Sequence, residues 1–152
     1  MTEYIPSSRK WVAEQVEIYE SSGGLEGTTY KVEGDPLRDT GLPVIIVTHT
    51  GLKTGAIRKT PLIRVSDGNN YILIATYGGN PNHPAWYYNL KANPKITIRD
   101  KTKVFDMIAT EMPESPERSR LWAIGAAVQP LYDEYQSKLE RLVPLFLASP
   151  IS

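Results

Sequence analysis

The 152-residue sequence contains no cysteine and only two histidines. The absence of cysteine excludes disulfides, thiolate catalysis and metal sites built on sulfur. His49 and His83 have no partner at a metal-ligand spacing, so the sequence predicts no protein metal site. The chain also lacks a G-x-S-x-G nucleophile motif and a G-x-G-x-x-G dinucleotide fingerprint. An enzyme of this composition would need a bound organic cofactor to carry the difficult chemistry.

Long apolar runs are missing as well. The longest runs are four or five residues, too short to span a membrane, and the N-terminus lacks the apolar core of a signal peptide. We therefore expect a cytoplasmic protein. At 152 residues it should form one domain with a substantial core. We expect an N-terminal helix within residues 1–22, a linker and strand over 23–42, and the main core over 43–148.

Acidic residues are nearly absent from the middle of the chain. The whole protein has 17 basic and 17 acidic residues, but between Asp39 and Asp100 the only acid is Asp67. That window contains seven basic residues and one acidic residue, a net charge of +6, which leaves −6 for the remainder. Concentrated positive charge in a neutral protein indicates a surface that attracts anions. The alternative is a set of solvated lysines on strand edges.

The basic window contains a glycine-rich turn between two apolar segments, THTGLKTGAIRKTPL over residues 48–62. Glycines allow a ligand to approach the backbone closely, and here they lie among Lys53, Arg58 and Lys59. We therefore predict a hairpin that holds a phosphate, and hence a phosphorylated cofactor. The likeness to a Walker loop is superficial, because the spacing is wrong and the residues that follow have strand composition. Pro61 in the second strand predicts a sheet edge or a bulge.

Hydrophobic periodicity and turn signals predict an α+β protein. A helix is expected over residues 7–22 with Ser7 or Ser8 as N-cap, and another over 115–127 with Ser115 as N-cap. Further helices are predicted over 84–92 and 131–142, and strands over 28–33, 44–50, 58–66, 71–77, 96–99, 103–111 and 143–148. Short hairpins interrupted by helices favour an antiparallel barrel with attached helices. The first helix is expected to pack on the core, with peripheral membrane contact as the open alternative.

Two further segments contain side chains that suit a ligand site. Residues 77–94 place Gly78 and Gly79 where a ring or a phosphate can approach, with Trp86 at the start of a helix. A core anchor is the alternative role for Trp86. Tyr132 and Tyr135 lie three residues apart, so a helix would place both phenols on one face. They are candidates to bind an oxygen atom or donate a proton, with half-buried packing as the alternative.

Together these motifs resemble the deazaflavin-dependent nitroreductase family, actinobacterial proteins that use the 5-deazaflavin cofactor F420. The family's hairpin motif is matched by Thr48, Thr50, Gly51, Lys53, Thr54, Gly55, Arg58, Pro61 and Leu62. Its second motif is matched by Gly78, Gly79, Pro84, Trp86, Asn89, Leu90, Ala92, Asn93 and Pro94. A looser third motif is matched by Pro130, Tyr132, Tyr135, Gln136, Arg141 and Pro144. The similarity covers residues 40–148.

The resemblance implies a split antiparallel β-barrel with peripheral helices, in which F420 lies in a groove. The implied contacts to the cofactor's phosphate and acidic tail are Lys53, Thr54, Gly55, Arg58 and Lys59, with Pro61 in the same pocket wall. The implied wall beside the deazaflavin ring is Thr76, Tyr77, Gly78, Gly79 and Trp86. The implied catalytic residues on the substrate side are Tyr132 and Tyr135.

We accordingly predict an F420H2-dependent reductase that passes a hydride to a small electron-poor acceptor, such as a quinone, an enone or a nitroaromatic. Leu52 replaces a usual arginine, Thr76 a common serine, and Gln129 the tyrosine of some members. These departures put nitroimidazole reduction in doubt more than cofactor binding. The alternatives are a split-barrel oxidoreductase that binds FMN and a non-catalytic F420-binding protein. No nucleic-acid partner is predicted, since the basic window matches no recognised module, and the expected assembly is a monomer or a homodimer.

Overall fold

The computed structural model describes residues 3–36 and 38–151. Within these residues the helices are α1 (Lys10–Ser21), α2 (Ala85–Ala92), α3 (Pro116–Val128) and α4 (Leu131–Ser137). The strands are β1 (Val44–Thr50), β2 (Ile57–Ile63), β3 (Ser66–Asp67), β4 (Asn70–Ile74), β5 (Lys95–Asp100), β6 (Lys103–Glu111) and β7 (Leu145–Pro150). The predicted α+β class is confirmed.

The strands form one antiparallel sheet in the order β2-β1-β5-β6-β7-β4-β3. Hairpins join β1 to β2 and β5 to β6, whereas the C-terminal strand β7 inserts between β6 and β4. The sheet curls into a half-barrel with the helices packed against it, which confirms the predicted split-barrel architecture.

Strand alternation gives the sheet two apolar faces. Successive side chains of a strand point to opposite faces, and the two central isoleucines of β1 separate accordingly. Ile46 belongs to a buried cluster with Val16 and Tyr19 of α1. Ile45 belongs to a second buried cluster with Trp86 of α2. Helices α1 and α2 therefore lie against opposite faces of β1.

Pro61 lies in β2, which is an edge strand of the sheet, opposite Ile46 of β1. The edge predicted from this proline is confirmed, because proline has no N–H to donate to a second neighbouring strand. The N-terminal segment covers part of the same edge through an Ile5 N–H bond to the Ile57 carbonyl (3.0 Å).

Both predicted helices with a serine cap exist, but only one cap is right. Helix α1 begins at Lys10 after Arg9, which supplies no side-chain cap. The predicted caps Ser7 and Ser8 lie before this point, and the Ser7 hydroxyl accepts from the Arg9 N–H (3.1 Å) in a separate turn. Ser115 caps α3 as predicted, since its hydroxyl accepts from the N–H three residues later (3.1 Å).

The strand predicted over 28–33 is wrong. Only Thr29 forms a bridge there, with Pro43. Tyr30 instead pairs locally with the linker that returns to β1, donating its N–H to the Leu42 carbonyl (2.9 Å) and accepting from the Gly41 N–H (2.8 Å). Residues 28–33 have the composition of a strand, but the segment beside them is a short loop and not a strand of the sheet.

The other boundary errors occur where the chain turns. The strand predicted over 58–66 divides into β2 and β3. The strand predicted over 71–77 ends at Ile74, before the turn in which Tyr77 has a positive φ of 52°. The helix predicted over 131–142 ends at Ser137. There the Gln136 side chain accepts from the Val143 N–H (2.7 Å) and ties the turn to the start of β7.

Helix α1 buries its apolar face on the sheet. Tyr19 is fully buried, and its hydroxyl donates to the Val44 carbonyl (3.0 Å) while accepting from the Lys101 N–H (2.7 Å). This supports the predicted packing role, and it leaves Ile18 as the exposed large apolar side chain of the helix. No helix in the described ranges 3–36 and 38–151 is long and apolar enough to cross a bilayer.

We predict that Tyr19→Phe lowers the free energy of unfolding by about 1–3 kcal/mol, because the Val44 carbonyl and the Lys101 N–H lose a buried partner. Urea denaturation measures the change. Tyr88→Phe is the matched control, since Tyr88 is 47% exposed, and its effect should stay within about 0.5 kcal/mol. Equal effects in the two variants would contradict the structural role of the Tyr19 hydroxyl.

Candidate functional site

The β1–β2 hairpin closes into a tight tip that leaves two backbone donors free. The Gly51 N–H donates to the Ala56 carbonyl (2.7 Å), and the Gly55 N–H donates to the Gly51 carbonyl (2.9 Å). Gly55 has a φ of 71°, a conformation that favours glycine. Within the described residues, the N–H groups of Lys53 and Thr54 have no acceptor. Two free amides beside a lysine form an arrangement that binds anions.

The two cations that follow the tip lie on opposite faces of β2. Arg58 is opposite His49 in the β1–β2 register, and Lys59 is the next residue, so its side chain points to the other face. On that face, Lys59 Nζ lies 2.7 Å from Glu20 of α1. In the part of the chain that the structure describes, no acid forms an ion pair with Arg58 or Lys53. Of the hairpin cations, Arg58 and Lys53 are therefore the ones left without an ion pair.

A chain of hydrogen bonds holds the hairpin tip against α2. The Leu52 N–H donates to Asn89 Oδ1 (2.8 Å), which fixes the orientation of the amide because a backbone N–H can only donate. The Asn89 Nδ2 group then donates to His49 Nδ1 (3.2 Å). His49 Nε2 consequently carries the proton and donates to Thr60 Oγ1 (3.0 Å).

This chain requires a neutral histidine. His49 is 4% exposed, and burial, followed by the nearby Arg58 charge, lowers its pKa from 6.5 to about 4. Protonation would place an N–H on Nδ1 facing the Asn89 amide, so two donors would meet. The structure makes His49 a buried support of the hairpin.

The hairpin, α2 and the N-terminal segment line a cavity of about 990 Å³, a size typical of ligand sites. β2 forms a long part of its wall. The distance along the strand from Arg58 to Pro61 is about 10 Å, at about 3.4 Å per residue. Tyr30 marks the far end, because its buried hydroxyl donates to the Pro61 carbonyl (2.5 Å), and Tyr132 lies close to it. The cavity is thus a groove with the hairpin cations at one end and two phenols at the other.

Arg141 holds the glycine turn that follows β4. This single 3₁₀ turn spans Tyr77–Gly79. The Arg141 guanidinium donates to the carbonyls of Thr76 (2.8 Å) and Asn80 (2.9 Å), and to His83 Nδ1 (3.1 Å). One side chain therefore sets the position of the cavity wall on both sides of the turn.

Most of the predicted site residues are brought together. The cavity is lined by the predicted residues Lys53, Thr54, Arg58, Lys59, Pro61, Thr76, Tyr77, Trp86 and Tyr132. The predicted residues Gly55, Gly78, Gly79 and Tyr135 lie outside the lining. Trp86 combines its two candidate roles, because it lines the cavity while it is 7% exposed and its ring lies 6.0 Å from that of Phe146.

The two tyrosines of α4 have different surroundings. Tyr132 is 5% exposed and lines the cavity. Burial raises its pKa and outweighs the lowering by Arg38, so the phenol stays protonated at neutral pH. Tyr135 packs beneath the turn, where a Cβ on Gly79 would lie 3.1 Å from its ring. The cavity lining includes Tyr132 and not Tyr135, and a catalytic role for either phenol stays a prediction.

A cluster at the phenol end of the groove is not predicted by the sequence. The Trp11 ring lies edge-on to Tyr30 (5.9 Å), and the Arg38 guanidinium lies 5.5 Å from the Trp11 ring centroid. These residues precede the matched motifs, and no local pattern marks them. Asn89 and Arg141 were also unassigned, although both lie inside matched motifs and could have been found by that signal.

Comparison with known proteins gives matches over most of the chain. The family model described as F420H(2)-dependent quinone reductase matches residues 11–150. The F420H(2)-dependent quinone reductase Rv1261c of Mycobacterium tuberculosis is 35% identical over 130 residues, which cover 84% of this chain and 82% of that protein.

Two solved structures are similar in both sequence and fold. An F420-H2 dependent reductase (FDR-A) is 42% identical with a TM-score of 0.67, over 70% of this chain and 94% of that one. A structure described as a domain-swapped dimer is 36% identical with a TM-score of 0.68, over 94% of this chain and all of that one (100%). The dimer is a property of that protein, so the predicted monomer or homodimer stays a prediction here.

We predict that His49 stays neutral down to about pH 4. The unfolded state takes up this proton near pH 6.5 and the folded state does not. The free energy of unfolding therefore has its full value above that pH, and it falls by up to about 3 kcal/mol as the pH drops toward 4. Histidine ring NMR during a pH titration measures the pKa, and His83→Asn identifies the signal because the chain has two histidines. Titration of His49 near its ordinary value would refute the buried network.

Proposed function

Since this chain belongs to the F420H2-dependent quinone reductase family, whose cofactor is coenzyme F420, we propose that it reduces a quinone with the hydride of reduced F420. Family membership confirms the resemblance found in the motifs and makes the chain an F420-dependent oxidoreductase. It also decides between the cofactors considered, in favour of F420 over FMN, and sets aside the non-catalytic alternative. Enones and nitroaromatics remain acceptor classes to be tested beside quinones.

The observation that carries the proposal is the polarity of the groove. Its hairpin end presents Lys53 and Arg58, which have no ion pair within the described residues, together with two free backbone amides. That donor set fits a cofactor whose phosphate and tail are anionic. Lys59 contributes less in this proposal, because Glu20 already neutralises it at 2.7 Å.

The middle of the groove suits a flat ring system. Thr76, Tyr77 and Trp86 line the cavity, and the Arg141 bonds keep the adjacent turn rigid. Gly78 and Gly79 act indirectly, because their positive φ angles shape the turn that presents Tyr77. We propose these residues as the wall beside the deazaflavin.

Bound reduced F420 supplies the hydride. The chain's own residues position the acceptor and exclude water, since the phenol end of the cavity is lined by apolar side chains that include Trp11, Ile63 and Ile74. A flat apolar quinone matches that lining. Tyr132 remains protonated and lines the same end, so its hydroxyl is placed to donate a hydrogen bond to an acceptor oxygen.

The function is tested by mixing the purified protein with reduced F420 and menadione under anaerobic conditions. We expect saturable oxidation of the cofactor, followed by the return of oxidised F420 absorbance. Tight F420 binding without oxidation by menadione or longer quinones would remove quinones as the acceptor and direct the search to enones and nitroaromatics.

We predict that Arg58→Met and Lys53→Met each raise the Kd for F420 by roughly tenfold and flatten its dependence on salt, because each removes one charge-assisted contact. Lys59→Met should have a smaller effect, since its charge is paired. Fluorescence titration at low and high salt measures both quantities. Lys95→Met is the matched control, because Lys95 is an exposed cation outside this cavity. An equal change of Kd in the Lys95→Met control would show that general surface charge, and not the hairpin, accounts for the effect.

We predict that Tyr132→Phe lowers kcat with menadione by roughly tenfold, while the Kd for F420 changes less than about twofold. The reason is that the Tyr132 hydroxyl is proposed to contact the acceptor and not the cofactor. Tyr135→Phe should retain most of the activity, since its ring packs under Gly79. Steady-state kinetics and cofactor titration provide the two readouts. Full activity of Tyr132→Phe would show that the Tyr132 hydroxyl has no role in the reaction and that the ring serves in packing.

A further inference from the structure

We propose that Arg38 is a further catalytic residue, whose guanidinium binds the acceptor oxygen that gains negative charge on reduction. The proposal rests on the proposed function and names the part of the same groove that recognises the acceptor. Arg38 belongs to the linker between α1 and β1, outside all three matched motifs.

The side chain reaches the acceptor end of the groove from outside the barrel sheet. It lines the cavity together with Tyr30 and Tyr132 and is 15% exposed. Its guanidinium lies 5.5 Å from the Trp11 ring centroid. On the other side, Arg38 Nη1 lies 3.8 Å from the position of a Cβ on Gly78. The charge is thus located between the aromatic end of the groove and the turn proposed to adjoin the deazaflavin.

Arg38 is held in place by its own turn. Asp35 Oδ1 accepts from the Arg38 backbone N–H (3.1 Å), and Asp35 Oδ2 accepts from Nη1 (3.0 Å). The Val32 N–H donates to the Arg38 carbonyl (2.9 Å) and closes the loop. Asp35 is thus also the ion-pair partner of Arg38, and the Tyr30 hydroxyl is a further hydrogen-bond partner of the guanidinium. Because a guanidinium has five N–H donors in a rigid fork, these contacts leave other donors of Arg38, which lines the cavity.

The chemistry of the proposed reaction calls for a cation at this end. A quinone that accepts a hydride, which carries two electrons, from reduced F420 becomes a hydroquinone monoanion, while the cofactor is oxidised. The new O–H bond then forms with a proton from water, while the Tyr132 hydroxyl, kept protonated by burial, donates a hydrogen bond to the oxygen. A fixed cation beside the oxygen stabilises the charge that develops before this proton arrives.

The other cations near the groove do not meet this need. Arg58 and Lys53 lie at the hairpin end, where the cofactor tail is proposed to bind. The guanidinium of Arg141 already donates its hydrogen bonds to backbone carbonyls and His83. Arg9 stacks on the Trp11 ring at 5.1 Å, but its side chain is exposed to solvent. Arg38 is the half-buried cation beside the two phenols.

The test compares Arg38→Met with wild type, using F420-loaded protein. Lawsone, a hydroxynaphthoquinone that is an oxyanion at neutral pH, mimics the charged product, and menadione is its neutral counterpart. We expect Arg38→Met to weaken lawsone binding by roughly 10- to 100-fold, as loss of an oxyanion donor does. Menadione affinity and the Kd for F420 should change less than threefold, roughly the error of such a comparison. Quenching of tryptophan fluorescence reports binding, and kcat/KM with menadione should fall by a similar factor to lawsone affinity.

Lys31→Met is the matched control, because Lys31 is an exposed cation of the same linker that does not line the cavity. It should leave lawsone binding unchanged. Arg38→Gln, which keeps a polar side chain, replaces Arg38→Met if the latter does not fold. Equal lawsone affinity in wild type and either variant would overturn the proposal. So would an equal loss of F420 affinity, since Arg38 would then belong to the cofactor site.

Failure of the proposed function has a different signature. If the wild-type protein does not oxidise reduced F420 with menadione, quinone reduction is wrong as the activity. Lawsone binding still reports on Arg38 in that case, because it needs no turnover. Preferential, Arg38-dependent binding of lawsone over menadione would keep the oxyanion site and require a different acceptor.

Discussion

The hydrogen-bonded chain from Leu52 through Asn89 and His49 to Thr60 is the interaction on which the groove depends. It joins the tip of the β1–β2 hairpin to α2, and these two elements supply the cation-bearing and ring-facing walls. Each member has a single compatible role, since the backbone N–H orients the amide and the amide selects the histidine tautomer. These bonds therefore hold the hairpin tip only while His49 is neutral, and burial of the ring lowers its pKa and favours that state.

Ion pairing refines the charge pattern that the sequence displays. The basic window between Asp39 and Asp100 has seven cations, yet four of them are neutralised in the structure. Glu20 of α1 binds both Lys59 (2.7 Å) and Arg99 (2.5 Å). The remaining pairs are Arg64 with Asp100 and Lys91 with Glu111. Glu20 of α1 thus pairs with cations on the face of the sheet against which α1 packs, while Lys53 and Arg58 have no ion pair within the described residues.

The opposite end of the groove is built from parts that no single motif contains. Tyr30 and Arg38 come from the linker, Trp11 from α1, and Tyr132 from α4. They converge because Pro61 lies in an edge strand, where its carbonyl accepts the Tyr30 hydroxyl (2.5 Å). Edge position leaves this carbonyl available to a side chain, and the linker can then fold over the groove. The hairpin end of the groove is local in sequence, whereas the phenol end is assembled from distant segments.

The sequence by itself determined the strands Val44–Thr50 and Lys103–Glu111, the Ser115 cap, the glycine-rich hairpin between β1 and β2, and the family resemblance. These features depend on turn chemistry, capping and strand period, which act over a few neighbouring residues. Only the tertiary structure decided that Glu20 neutralises Lys59, that Tyr135 packs away from the cavity, and that Arg38 enters it. Those outcomes depend on which distant segments meet across the sheet, and a local pattern of residue types does not contain that information.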